Sequence, residues 1–251
     1  MEQYGLIGFP LGHSFSRKFF TEKFAHESID AEYLNFEIPS AELLLDVVRN
    51  NPALRGLNCT IPHKQAIIPM LDELSEEAQK IGAVNVIRID RGIQGRNGYY
   101  RLKGFNSDII GFMDSLRPLL QPHHRKALVL GTGGASKAIC LGLTKLGLEW
   151  KYVSRSPREG QFTYEDITPE LIREYEVIVN CSPVGMHPHV DESPALPYEA
   201  MTDRNLLFDL VYNPLETQFM QRGAAHGAVT KNGLEMLHLQ ALASWEFWHT
   251  M

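Results

Sequence analysis

Cysteine is scarce in this chain: Cys59, Cys140 and Cys181 are the only three in 251 residues. They lie far apart, in odd number and without a C-x-x-C pair, which excludes a disulfide framework and a cysteine zinc knuckle. Net positive charge is lacking too. Lys and Arg total 24 against 30 Asp and Glu, a formal charge of −6, so the chain has no overall positive field to draw in nucleic acid or an acidic membrane surface. No stretch approaches the ~20 consecutive apolar residues of a membrane span. The chain opens on the strand-like YGLIGF rather than on a basic segment and a long apolar run. His123-His124 and the pair His187 and His189 have no cysteine or carboxylate partners at ligand spacing, so no metal site is expected. These absences point to a soluble, cytoplasmic protein that handles small molecules.

What is present is a 44% hydrophobic sequence, enough for a substantial core, with strands and helices alternating. YGLIGF, a helix over Phe19, Phe20 and Phe24, EYLNFEI, a helix opened by Ser40, RGLNCT and AVNVIRI follow one another. Asn97-Gly98 marks a hairpin, so this part of the sheet is expected to carry antiparallel strands as well. After a helix from about Ser107 to Leu120 and the polar break QPHHRK, a second alternation runs through KALVLG, EWKYVS, EVIVN, LLFDLVY and AVTKNG. The pattern predicts an α/β protein with a junction near the start of the Ser107 helix. The last helix, from Leu234, is apolar almost all round and is expected to be buried or wedged between layers, with Gln240 on the face of Met236.

LVLGTGGAS runs from strand through a glycine-rich turn to a helix. Gly131 allows a tight turn, Gly133 close approach of the backbone to a pyrophosphate, and the helix start offers free N–H groups. Gly134 and Ala135 complete the turn, and Ser136 stands where the fingerprint usually has a third glycine. One helix and one strand later, where a carboxylate would bind the ribose of NAD, the chain has Ser154, Arg155 and Ser156. A guanidinium cannot accept hydroxyl hydrogen bonds but pairs with a 2′-phosphate, so the expected cofactor is NADP.

In the first half, GHSFS sets Ser14 and Ser16 two apart, suited to one carboxylate or to capping the next helix. NCTIPHK carries Thr60 and Lys64 around a proline just after a strand, at the edge where open α/β sheets bind ligands. GAVNV offers the amide of Asn85, and GFNSD places Asp108 at a helix start, a common cap position. A carboxylate facing Lys64 would hold its charge and orient a substrate hydroxyl. Cys181 beside Asn180 has no identifiable triad partner and reads as a small buried residue.

These motifs, together with SRS, NCSPVGM, YNPLET and GLEMLHLQA, occur in an order and spacing that resembles the shikimate dehydrogenases, NADP-linked enzymes that reduce 3-dehydroshikimate. The resemblance implies a substrate domain with a mainly parallel sheet, residues 1–105 completed by a C-terminal helix at 231–251, and a Rossmann-like NADP domain at 106–230. It implies Ser14, Ser16 and Tyr212 on the substrate carboxylate, and Thr60, Asn85, Asp108 and Gln240 on ring hydroxyls. Lys64 and Asp108 would form the catalytic pair. Asn180, Ser182 and Met186 would lie beside the nicotinamide, with Gly233 lining the cleft. The family usually has Asn-Arg-Thr at Ser154-Arg155-Ser156 and threonine at Ser107 and Val86, and the segment IDRGIQGRNGYYRLK is longer and more basic than usual. Shikimate and 3-dehydroshikimate are the implied ligands, to a monomer or homodimer. Two other readings stay open: a quinate/shikimate dehydrogenase using NAD or NADP, and a non-catalytic NADP- or metabolite-binding module.

Overall fold

The computed structural model describes residues 1–12 and 15–249. They form two compact units, Met1–Ser107 with Ala241–Met251, and Asp108–Gln240. The first contains β1 (Glu2–Gly8), α1 (Phe15–His26), β2 (Ala31–Glu37), α2 (Leu44–Asn50), β3 (Leu54–Cys59), β4 (Glu73–Leu74), α3 (Glu76–Ile81), β5 (Val86–Gly95) and β6 (Gly98–Phe105). Its six-stranded sheet has the order β2-β1-β3-β5-β6-β4. β1 runs parallel to β2 and β3, and β4 parallel to β6, while β5 is antiparallel to β3 and β6.

Side chains alternate across this sheet with the period of two that strands impose. Ile7, Leu57, Ile87 and Leu102 face one core with Leu44 and Val48 of α2. Tyr4, Leu6, Val86 and Phe105 face another, with Phe20 and Phe24 of α1 and Trp248 of the C-terminal helix. The backbone at Gly56 is what lets that indole in. A Cβ there would overlap the Trp248 ring.

Three elements of this unit differ from the sequence expectation. The helix expected from Ser40 begins as a 3-10 turn at Ala41–Leu43, because the Ser40 hydroxyl turns to the Glu42 carboxylate instead of capping the backbone. The pair β4 and α3 was not anticipated. Yet SEEAQKIG holds its signals: Ser75 accepts from the Ala78 N–H, Glu76 and Glu77 fill the first turn, and Gly82 ends the helix at φ +68°. The long basic hairpin also gains a physical account. The Asp72 carboxylate accepts the N–H groups of Arg96 and Leu102, both at 2.6 Å, and Glu73 pairs with Arg101 and Lys103. Two of its positive charges, Arg101 and Lys103, are thus latched to an acidic turn.

The second unit contains α4 (Asp108–Leu116), β7 (Lys126–Leu130), α5 (Ser136–Lys145), β8 (Glu149–Val153), α6 (Pro169–Glu174), β9 (Val177–Asn180), β10 (Leu206–Asp209), α7 (Gln218–Ala224), β11 (Val229–Lys231) and the start of α8 (Leu234–His249). Its sheet is wholly parallel in the order β11-β10-β9-β7-β8. β9 and β10 are buried along their whole length, as apolar runs covered on both faces should be. α4 stops at Leu116, short of the predicted end, since Pro118 has no N–H to continue it and the next turn is 3-10. α8 is shared. Met236 joins the core of the second unit, whereas Ala241 and Trp248 join that of the first. Among the described residues no helix is long and apolar enough to cross a membrane.

Gly56→Ala should therefore destabilise the first unit by about 1–3 kcal/mol through overpacking against Trp248. Urea unfolding followed by tryptophan fluorescence measures this, and an unchanged midpoint would contradict the close approach.

Candidate functional site

In the first unit, one edge of the sheet gathers the predicted residues. β1 ends at Gly8, β3 at Cys59 and β6 at Phe105, while β5 starts at Val86, and these ends are in register. Backbone bonds then tie the segments beyond them: Thr60 N–H to Ile7, Cys59 N–H to Asn85, Asn85 N–H to Phe105 and Val84 N–H to Lys64 at 2.7 Å. Thr60, Lys64, Asn85 and Ser107 consequently leave the same edge. His63 is buried, its Nε2 2.7 Å from the carbonyl of Ile38, which fastens the turn that carries Lys64. Ser16 lies in the first turn of α1, bonded to the Tyr33 hydroxyl. Ser14 lies outside the described residues.

Behind that edge runs a buried polar chain that sequence reasoning did not identify. The Tyr33 hydroxyl donates to Asn58 Oδ1 at 2.8 Å, and Asn58 Nδ2 donates to Ser244 Oγ at 2.9 Å. Ser244 Oγ is 3.2 Å from Ser107 Oγ, which accepts from Asn85 Nδ2 at 3.0 Å. The Ser107 N–H closes the loop on Asn85 Oδ1 at 2.7 Å. Asn85 is thus not a polar interruption facing water; it is 3% exposed. A polar residue inside the apolar strand RGLNCT was the available signal for Asn58.

In the second unit, Val153, Leu130, Asn180 and Asp209 stand side by side at the carboxyl edge of four parallel strands. The turn after β7, the loop after β8, NCSPVGM and the segment leading to YNPLET all leave from this row. Chain order reverses between β7 and β9, the position where open parallel sheets form a ligand crevice. Gly131 adopts φ +95°, and a Cβ on it would come within 3.4 Å of Ser182, so the glycine turn and the β9 loop meet there. Around the Cβ positions of Gly133 and Gly134 the space is open, and Ala135 leads into α5. Ser136 is fully buried and donates to the Gly133 carbonyl at 2.7 Å, which fixes the turn from inside.

After β8, Ser154 Oγ accepts the Ser156 N–H at 3.2 Å, and the chain returns to pair Phe162 with Tyr152 and Ser154. The excursion presents Arg155 and Ser156 to solvent. The arrangement suits a dinucleotide: a helix start and open glycines for a pyrophosphate, and an exposed guanidinium with no carboxylate at that strand end. Asn180 Oδ1 accepts from the Ser182 hydroxyl at 2.6 Å, Met186 and Tyr212 are exposed, and Gln240 Nε2 donates to the Leu237 carbonyl. Gly233 lies against the backbone of Leu210, an approach a side chain would block. Asp108 is the first residue of α4, where a carboxylate is favourable to the helix dipole. Burial pushes the Cys181 thiol well up, away from nucleophilic thiolate chemistry.

The family described as the shikimate dehydrogenase substrate binding domain matches residues 6–87. A shikimate dehydrogenase (NADP(+)) of Caldanaerobacter subterraneus is 37% identical, over 98% of this chain and 90% of that relative. The crystal structure of a Thermus thermophilus shikimate 5-dehydrogenase in complex with NADP(H) and shikimate superposes with a TM-score of 0.83 at 32% identity, covering 100% of this chain and 94% of the other. A Corynebacterium glutamicum quinate dehydrogenase in complex with NAD gives 0.86 at 25% identity, with coverage of 100% and 94%.

Tyr33→Phe leaves Asn58 Oδ1 without its donor in a buried setting and should cost about 1–3 kcal/mol. Combined with Ser244→Ala, denaturant unfolding should show a coupling of roughly 0.5 kcal/mol or more. Strict additivity would disprove a connected chain.

Proposed function

This chain belongs to the shikimate dehydrogenase family, and we propose that it catalyses the reversible NADP-dependent reduction of 3-dehydroshikimate to shikimate, with Lys64 and Asp108 acting on the reacting oxygen. The first unit takes the substrate and the second the cofactor. The observation that carries the reading is the convergence of Thr60, Lys64, Asn85 and Ser107 on one sheet edge, in a chain similar along nearly its whole length to NADP-dependent shikimate dehydrogenases.

NADP(H), when bound, exchanges the hydride. The protein's part is to hold the substrate and move a proton. As reduction places negative charge on the ring oxygen, the Lys64 ammonium stabilises it and delivers the proton; in oxidation the amine takes that proton back. Asp108 orients the substrate hydroxyl between itself and Lys64. Ser14, Ser16 and Tyr212 hold the carboxylate, and Thr60, Asn85 and Gln240 bond the ring hydroxyls. Gly131, Gly133, Gly134 and Ala135 receive the pyrophosphate. Ser154, Arg155 and Ser156 receive the 2′-phosphate, and Asn180, Ser182, Met186 and Gly233 flank the nicotinamide. The likeness to an NAD-linked quinate dehydrogenase gives the test its second substrate and second cofactor.

Steady-state turnover followed by nicotinamide absorbance, with shikimate and quinate against NADP and NAD, should show shikimate with NADP as the preferred pair. No turnover of either acid would end the enzyme reading in favour of a binding module. Lys64→Ala should lower kcat by roughly 10²–10⁴ while leaving NADPH affinity within about twofold. Arg155→Ala should weaken NADP by about tenfold to a hundredfold, the worth of a charge-assisted bond of about 1.5–3 kcal/mol, and NAD hardly at all; equal losses would contradict the assignment.

A further inference from the structure

The row of strand ends in the second unit contains one carboxylate, Asp209, that the mechanism above does not use. It is fully buried at the end of β10 and takes three hydrogen bonds. Oδ1 accepts from Asn180 Nδ2 and from the Val211 N–H, each at 3.0 Å, and Oδ2 accepts from the Thr217 hydroxyl at 2.6 Å.

The consequences run in two directions. Toward β9, a carboxylate that only accepts forces the NH₂ face of Asn180 toward itself. Asn180 Oδ1 then points the other way, where it accepts the Ser182 N–H at 3.0 Å and the Ser182 hydroxyl at 2.6 Å. With the amide reversed, oxygen would face oxygen at Asp209 and both Ser182 donors would lose their acceptor. Toward YNPLET, Val211 is held immediately before Tyr212, and Thr217 is fixed where it caps α7. The His187 N–H also donates to the Asn213 carbonyl, so the two loops run side by side.

We infer that Asp209 is a positioning residue for the reaction: its carboxylate locks the loop 181–186, through Asn180, and the loop 211–217, through Val211 and Thr217, into one arrangement. The inference rests on the dehydrogenase reading for what these loops meet, and on the second unit alone for how they are held.

Burial raises the Asp209 carboxyl to about 6, even though its three donors pull it down. The titratable groups that sense it are Cys181 and Tyr198, both raised by burial, Tyr198 to about 12; the Arg222 guanidinium lies 4.0 Å from the Tyr198 ring centroid. Near pH 6 only Asp209 among these changes charge. Protonated, it carries a hydrogen on an oxygen that now accepts one. Its folded-state value lies above the ordinary 3.8, so this group's contribution to stability rises as pH falls from about 6 toward 4. The Thr217 hydroxyl can turn to accept that hydrogen, so protonation leaves the lock in place.

The test compares Asp209→Ala and Asp209→Asn in the full chain by steady-state kinetics with shikimate and NADP, and by amide hydrogen exchange of the free protein. Asp209→Ala should lower kcat/KM for shikimate by about tenfold or more, as loss of orientation does, and quicken exchange in 181–186 and 211–217 together. In Asp209→Asn, Oδ1 can keep two of the three bonds and the Thr217 hydroxyl can turn to accept the third. This variant should keep exchange slow and recover most activity. Unchanged exchange in either segment, unchanged kcat/KM, or equal damage in both variants overturns the inference. If Asp209→Ala does not fold, Thr217→Val replaces it: faster exchange at 211–217 with lowered kcat/KM supports the lock, and no change in either overturns it. A wild-type protein that does not turn over shikimate fails the activity reading instead, and the exchange comparison, made without substrate, still decides the lock.

Discussion

The carbonyl oxygen of Asn85 has no proton to give, and the direction of the whole polar chain in the first unit follows from that. Asn58 Nδ2 lies 3.5 Å from it, so the amide must present its nitrogen on that side, toward Ser244 as well. Asn58 Oδ1 then faces Tyr33, and the phenol has to donate. Its single proton spent, the Tyr33 oxygen can only accept, which makes Ser16 the donor in their contact. Residues on two strands, β2 and β3, and two helices, α1 and α8, thus share one set of hydrogen-bond polarities, fixed by a backbone group that cannot be inverted.

The two units solve the problem of polarity inside a core with different chemistry. The first uses neutral amides and hydroxyls, which avoid the desolvation cost of a buried charge. The second uses a carboxylate, and the cost shows in its titration, raised to about 6 despite three donors. In exchange it has a group that only accepts. An uncharged amide there keeps an acceptor for Asn180 and Val211 only by turning its NH₂ to Thr217, whose hydroxyl must then accept.

Much of this was legible in the sequence, and the limit was set by a specific cause. The alternation of strands and helices, the glycine turn and the terminal apolar helix are local signals, since periodicity and turn chemistry operate over a few residues. LLFDLVY and RGLNCT each hold a polar residue in an apolar strand, a signal available for Asp209 and Asn58 that names no partners. Those partners are Thr217 and Asn180 in one case, Tyr33 and Ser244 in the other, and Ser244 is 186 residues from Asn58. No spacing rule reaches that far. α3 was missed for the opposite reason: its signals were present, but six residues are too few to establish a helical period.

The departures from the usual family pattern fall where the structure can absorb them. Ser107 replaces a threonine but keeps the hydroxyl that Asn85 and Ser244 meet. Its site is fully buried, so the methyl, not the hydrogen bond, is what was dispensed with. Val86 makes the reverse exchange. It sits wholly buried in the aromatic core with Tyr4, Phe105 and Trp248, where a methyl packs and a hydroxyl would need a partner. Ser136 stands where a glycine is usual, and its hydroxyl bonds to the Gly133 carbonyl, so the added atoms tie the phosphate turn down instead of obstructing it. In each case the substitution preserves the function of the position, a hydrogen bond in one place, volume in another and turn geometry in the third.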